Sequence, residues 1–324
     1  SSGYHISVKG GRFMEAVANA DTVVFDKTGT LTYATPTVAK VVSFDGYSAS
    51  EMLRLAACLE EHYPHSIANA VVAEAKRLGL DHKEYHSQVE YVVAHGISST
   101  VEDKKVIIGS AHFVFEDEGC VVPEAEQEKF NTLPEEYSHL YLCIAGRLAA
   151  VICISDPLRK EAKDAIQALH ACGISKVVMM TGDSRRTAEA VAREVGVDQF
   201  YAEVLPEDKA NFVRQEKAAG RKVIMIGDGV NDTPALSEAD VGIAINTGAA
   251  IAREIADVTI ASEDLFELVT LRKISQALMS RIQRNYRFIV GFNLMLIVLG
   301  VTGVIQPTTS ALLHNASTLG ISLD

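Results

Sequence analysis

Thr22-Val-Val-Phe-Asp-Lys-Thr-Gly-Thr-Leu-Thr32 decides how this chain is read. Four strand-forming residues, Thr22 to Phe25, run into an acid, Asp26, and small turn-compatible residues follow. Open α/β sheets place ligands just past the carboxyl ends of their strands. A carboxylate there faces a loop, Thr28-Gly29-Thr30, whose amides and hydroxyls suit a phosphate. A lone Asp in this position would more simply be a turn residue or a helix N-cap. Asp26 is not alone.

Polar groups recur where later apolar runs end. Thr181-Gly-Asp183 follows Val177 to Met180, and Gly227-Asp-Gly-Val-Asn-Asp232 follows Val223 to Ile226. Pro206-Glu-Asp-Lys209 opens a segment of helical pattern reaching Ala219. Strands expected at 177–180, 223–226, 241–245 and 258–260 alternate with helices at 159–172, 187–195, 207–219 and 232–238. That rhythm predicts a doubly wound parallel sheet covered on both faces. Each motif has a plainer reading: a turn for Thr181-Gly182, a solvated residue for Lys209, an N-cap for Asp232. Their joint occurrence at one sheet edge argues for a shared site.

Between the two parts of that sheet, about Ala34 to Asp156, lies a segment of different character. Two amphipathic helices (51–61 and 67–78) precede short alternating strands at 90–93, 97–101, 106–108, 140–144 and 148–154. An inserted α+β domain over the Asp26 site is expected.

The chain has 324 residues, room for two or three domains, and a net charge of −12 from 30 basic and 42 acidic residues. That balance argues against nucleic acid as partner and suits a substrate that arrives with Mg²⁺. The five cysteines, at 58, 120, 143, 153 and 172, form no C-x-x-C pair, so they are expected reduced and mostly buried. Phe288 to Ile305 is an eighteen-residue run without charge, flanked by Arg281, Arg284 and Arg287. Its length is at the lower limit for a bilayer span, and the basic flank resembles a cytoplasmic margin. Abrupt ends at Ser1 and Asp324 suggest cuts through something longer.

The string DKTGT at Asp26 to Thr30 resembles the phosphorylation motif of P-type ATPases, and GDGVNDTPAL at Gly227 to Leu236 is equally specific. Together with Thr181-Gly-Asp183 and Lys209 these are the motifs of haloacid-dehalogenase-like phosphotransferases in their P-type spelling. Glu60-Glu-His-Tyr-Pro-His65 resembles the nucleotide-domain signature of the heavy-metal (type IB) pumps, with Ser66 where they carry Pro. The resemblance covers essentially the whole chain.

It implies a haloacid-dehalogenase-like phosphorylation domain at 21–33 and 156–264, preceded by a linker at 1–20. A nucleotide-binding domain would occupy 34–155. A connecting helix at 265–287 would lead into transmembrane helices at 288–324, the second cut short. Asp26 would be the nucleophile toward ATP, with Lys27, Thr28, Thr30, Gly182, Asp183 and Asn231 around it. Thr181 and Lys209 would hold the phosphoryl group. Mg²⁺ would sit on Asp26, Asp228 and the Thr28 carbonyl, steadied by Asp232 and Asn231. Glu60 and His65 would flank adenine, with Gly96 and Gly109 admitting the nucleotide; Ala94 stands where the family has a further glycine. A plainer account leaves His65 beside a helix N-cap and the glycines in a hairpin. Asn293, His314 and Asn315 would face the transported cation.

Many phosphatases of the superfamily carry an acid two residues past the nucleophile. Here that residue is Thr28, so an aspartyl-phosphate should hydrolyse slowly. The family completes hydrolysis with a Thr-Gly-Glu loop on an actuator domain, and no such tripeptide occurs in this chain. The expected partners are ATP, a heavy-metal cation, membrane lipid, the actuator domain and the other membrane helices, at the cell membrane with the catalytic domains cytoplasmic. This chain by itself would bind nucleotide without full turnover. A stand-alone phosphatase and a non-catalytic nucleotide-binding module are the alternatives.

Overall fold

The computed structural model describes residues 5–33, 35–61, 66–80, 89–92, 96–205, 208–227, 232–245, 250–262, 264–303 and 307–322. The chain opens with β1 (Ile6–Val8), α1 (Gly11–Asn19) and β2 (Thr22–Asp26). An inserted unit follows: β3 (Thr37–Ser43), α2 (Ala49–Glu60), α3 (Ser66–Arg77), β4 (Val89–Val92), β5 (Gly96–Val101), β6 (Lys104–Gly109), α4 (Gln127–Asn131), β7 (Ser138–Ile144) and β8 (Arg147–Ser155). The βα rhythm then resumes with α5 (Ala162–Ala171), β9 (Lys176–Met180), α6 (Arg185–Val195), β10 (Gln199–Tyr201), α7 (Lys209–Ala218), β11 (Val223–Gly227), α8 (Thr233–Glu238), β12 (Val241–Ile245), α9 (Ala250–Ile255) and β13 (Val258–Ile260). Helices α10 (Phe266–Val301) and α11 (Pro307–Ser322) end it.

Seven strands form one sheet in the order β1-β13-β12-β11-β2-β9-β10, so β2 lies at its centre. All five residues of β2 are buried, as a strand covered on both faces requires. Val23 and Phe25 pack with Val177, Met179, Ile224 and Ile226 into a core closed by α1, α5, α6 and α10. Val24 points the other way, with Val178, Met180 and Met225, against α7 and α8. The sheet is parallel except for β1, which pairs antiparallel with β13. β1 enters from outside the βα repeat and needs no crossover, so the purely parallel expectation gives way at this edge.

The inserted unit is a six-stranded antiparallel sheet, β3-β8-β7-β6-β5-β4. One face packs on α2 and α3 through Leu55, Leu59, Val71, Ile108, Leu142 and Ile152. The other carries Phe44, Phe113, Phe130, Tyr141 and Leu148. The doubly wound sheet with an α+β insertion is thus the architecture observed.

Helix α10 is continuous over 36 residues and, among the described residues, is the one helix long and apolar enough to cross a membrane. Only 6% of its apolar window is buried, which separates it from a core helix. α11, with 16 residues, falls short of that length, so of the two membrane helices expected one meets the criterion.

Candidate functional site

Strand register builds the site. Asp26 pairs with Met180, the residue before Thr181, and Phe25 pairs with Ile226, the residue before Gly227. The loops that follow the three central strands therefore start at the same level of one edge. Lys209, first residue of α7, reaches this edge from the side.

The Lys209 ammonium lies 3.0 Å from Asp26 Oδ2 and 2.7 Å from Asp232 Oδ1, and all three residues are buried. Burial would favour the neutral amine, but the two carboxylates outweigh it and hold Lys209 well above the ordinary lysine range. Asp232 precedes α8 at its N-cap position, yet its side chain makes no cap hydrogen bond and turns to Lys209 instead. Gly227 makes room for that turn. A Cβ there would come within 2.6 Å of Asp232 Oδ2.

The residues after Asp26 form a tight turn. Gly29 adopts φ 77°, and its amide donates to the Thr32 hydroxyl at 2.9 Å. The Thr30 hydroxyl donates to the Asp26 carbonyl, so Thr30 shapes the turn from inside. Arg159, buried in the second hinge segment, braces the same turn by donating to the Thr30 carbonyl at 2.7 Å. Thr181 is buried beside Asp26, and its hydroxyl oxygen accepts from the Asp183 amide at 3.1 Å. A Cβ on Gly182 would meet only an ordinary contact, the Val204 carbonyl at 3.7 Å, so packing in this conformation does not demand glycine.

Lys27 departs from expectation. Its ammonium is not at the Asp26 edge but in a buried polar knot, 2.6 Å from Asp183 Oδ2, 3.5 Å from Asp156 Oδ2 and 3.2 Å from Ser138 Oγ. Burial works against charge at both ends of the Lys27–Asp183 pair. Their mutual attraction wins, raising Lys27 and lowering Asp183 from their ordinary values. Asp156 goes the other way, raised because burial exceeds what Lys27 and a Thr32 hydrogen bond return, and among the described residues its Oδ1 has no geometric hydrogen-bond partner. Thr28 donates to Asp156 Oδ2 at a long 3.4 Å. Ser138 belongs to the insertion and Asp156 to the strand-end return from it, so this knot ties the nucleophile turn to the hinge. The sequence gives no sign of Ser138. In the sequence Asp156 marks only the boundary of the inserted segment, and Arg159 the start of an expected helix.

Of the expected nucleotide residues, Glu60 is buried at the end of α2. His65, Asp228 and Asn231 lie outside the described residues. Gly96 and Gly109 are direct cross-strand partners. At Gly96, with φ 154°, the space a Cβ would take is filled by the Phe113 ring, 2.3 Å away. Internal packing, then, already requires this glycine. Gly96→Ala is expected to lower the stability of the insertion by about 1–3 kcal/mol, the usual cost of overpacking. A fall in its thermal midpoint checks this, and an unchanged midpoint would contradict the packing account.

In the C-terminal helices His314 Nδ1 and Asn293 Oδ1 are 2.6 Å apart, joining α10 to α11. Asn315 is exposed one residue on. Among the described residues no three His, Cys, Asp or Glu side chains cluster as a metal site. The donors at the Asp26 edge nevertheless fit Mg²⁺: they are hard carboxylate oxygens, of which that ion takes one or two from protein.

The model of the haloacid dehalogenase-like hydrolases matches residues 20–240. Copper-transporting ATPase 2 of Rhizobium meliloti (strain 1021) is 40% identical over 94% of this chain and 36% of its own length. The chain thus spans about a third of that curated relative. A crystal structure of a zinc-transporting PIB-type ATPase in the E2.Pi state superposes with TM-score 0.65 at 31% identity, covering 99% of this chain and 52% of that one. The catalytic domain of the CPx-ATPase CopB-B gives TM-score 0.67 at 30% identity, over 83% of this chain and 95% of the domain. With the charge cluster at the sheet edge and the insertion between β2 and α5, these likenesses make the chain a member of the haloacid dehalogenase-like hydrolases and, among them, of the heavy-metal P-type ATPases.

Proposed function

We propose that this chain is the phosphorylation and nucleotide-binding part of an ATP-driven heavy-metal pump that works through an aspartyl-phosphate on Asp26. The observation that carries the reading is the buried Lys209 ammonium shared by Asp26 and Asp232 at 3.0 and 2.7 Å. Residues 21–33 and 156–264 would be the phosphorylation domain and 34–155 the nucleotide domain.

In the proposed step an Asp26 carboxylate oxygen forms a bond to the γ-phosphorus of ATP as the bond from that phosphorus to the bridging oxygen breaks, and ADP leaves. Lys209 offsets charge on the transferred oxygens. The Thr181 hydroxyl, whose oxygen accepts from the Asp183 amide at 3.1 Å, would donate to a phosphoryl oxygen. Asp26, Asp228 and the Thr28 carbonyl would hold Mg²⁺, which supplies further charge neutralisation when bound. Glu60 and His65 would contact adenine. Lys27, Asp183, Asp156 and Ser138 keep the nucleophile turn in register with the hinge. Thr28 offers no carboxylate to activate water, which disfavours a stand-alone phosphatase.

The rest of the pump, an actuator domain and further membrane helices, would complete turnover. Residues 288 onward would sit in the cell membrane, with the catalytic domains cytoplasmic, and Asn293, His314 and Asn315 would face the cation. The test is exposure of the full-length protein to γ-labelled ATP with Mg²⁺, acid quench, then hydroxylamine. Label that survives acid and is released by hydroxylamine supports an acyl phosphate. Label that is absent, or stable to hydroxylamine, rejects it.

A further inference from the structure

Helix α10, which runs from the catalytic sheet into the apolar segment, is fastened by one buried cation. Arg272 is 5% exposed, and its hydrogen bonds go to backbone carbonyls rather than carboxylates. Its Nη1 donates to the Val17 carbonyl, in the last turn of α1, and its Nε to the Cys172 carbonyl, at the end of α5, at 3.3 Å. One turn further along α10, Gln276 donates to the same Cys172 carbonyl at 2.9 Å. The final carbonyls of a helix lack partners within it and carry the negative end of its dipole. A guanidinium forked between two such ends is therefore held by charge as well as by hydrogen bonds.

The position of those two helix ends matters. α1 leads directly into β2, which ends at Asp26, and α5 leads into β9, which stops one residue before Thr181. Ser175 ties the two strand roots together, its amide donating to the Asp21 carbonyl at 2.9 Å. Arg272 thus grips the roots of the two strands whose far ends carry the nucleophile and the phosphoryl-binding threonine. A methionine or leucine would fill the same space without the cost of burying charge. What an apolar residue lacks is direction: the planar fork fixes both the rotation and the axial position of α10.

We propose that Arg272 is the positioning residue through which movement of the phosphorylation sheet is passed to α10, so that phosphorylation and cation movement stay coupled. This rests on the pump reading above. It places a specific joint outside the catalytic cluster and outside the candidate cation site.

The full-length protein in sealed vesicles provides the test, with Zn²⁺ and Cu⁺ each as the probe cation. Phosphate release and cation uptake are measured together for wild type, Arg272→Met, Arg272→Lys and Gln276→Leu. In Arg272→Met the cations moved per phosphate released are expected to fall about tenfold, within the usual span of coupling between sites. Hydroxylamine-labile label from ATP should stay within a factor of about 3 of wild type. Arg272→Lys, which keeps charge but loses the fork, should fall between, and Gln276→Leu should show a smaller loss of coupling. Label and transport declining in parallel, or an unchanged ratio in Arg272→Met, would overturn the proposal. Should Arg272→Met not fold, Arg272→Lys is judged by the same ratio. A wild type without cation-dependent label would defeat the pump reading itself, a separate outcome.

Discussion

Asp26→Asn should abolish hydroxylamine-labile label from ATP, a loss of at least about 10⁴-fold on the scale seen when a nucleophile is removed. The carboxamide is uncharged, and its oxygen is a poor nucleophile that cannot form the acyl phosphate by simple in-line attack. The fold should tolerate the change. Lys209 keeps Asp232 at 2.7 Å, so the buried ammonium is still paired after Asp26 becomes neutral. Two carboxylates share one ammonium in the wild type, and removing one relieves their mutual repulsion. A stability change within about 1 kcal/mol is expected, far below the 3–5 kcal/mol of a stranded buried charge. Acid-quenched labelling and a thermal melt, run on the same preparation, check both halves. Label that persists in Asp26→Asn would place the phosphoryl group on another residue.

The catalytic edge was legible because Asp26, Thr181 and Asp232 come at or just after strand ends and Lys209 at the start of a helix, where side chains of distant segments meet by topology. Asp26, Thr181, Lys209 and Asp232 could be gathered without coordinates for that reason. Lys27 could not be placed, because sequence adjacency misleads there. Asp26 is extended (φ −70°, ψ 135°), and successive side chains of extended backbone leave on opposite sides. The nucleophile and its neighbour are consequently directed to different sites, one to Lys209 and one to the hinge. Ser138 and Asp156 are 111 and 129 positions from Lys27, contacts that no local pattern encodes. Gly96, read either as admitting a nucleotide or as a hairpin residue, lies against the Phe113 ring, a contact no local pattern encodes. β1 and β10, at three residues each, and β3, with an irregular exposure pattern, lack the length or alternation that marks a strand. The helix starts differ by one to three residues; of α2, α5, α6, α7 and α8 only α6 has a side-chain N-cap bond, Ser184 accepting from the Thr187 amide, so little in the local sequence marks the others.

Lys209→Met is expected to be costly twice over. Loss of a positioned charge at the transferred group typically slows such a step by about 10²–10³-fold. Unlike Asp26→Asn, it also removes the ammonium that two buried carboxylates, Asp26 and Asp232, face. Breaking a buried pair in this way costs about 3–5 kcal/mol. At roughly 2–4 °C per kcal/mol for a domain of this size, the thermal midpoint should fall by about 6–20 °C. The raised Lys209 also sets what pH can do to the wild type. Wild-type Lys209 is raised above its ordinary value, so its contribution is complete below the unfolded lysine pKa of about 10.4 and is lost only as pH climbs through the higher folded value. No titration from this group is therefore expected between about pH 6 and 9. Asp232→Asn, added to Lys209→Met, should recover much of the midpoint while leaving the phosphorylation rate low. A double variant that recovered rate as well would show that Lys209 serves only to neutralise Asp232, and that charge on the transferred oxygens is met by another group.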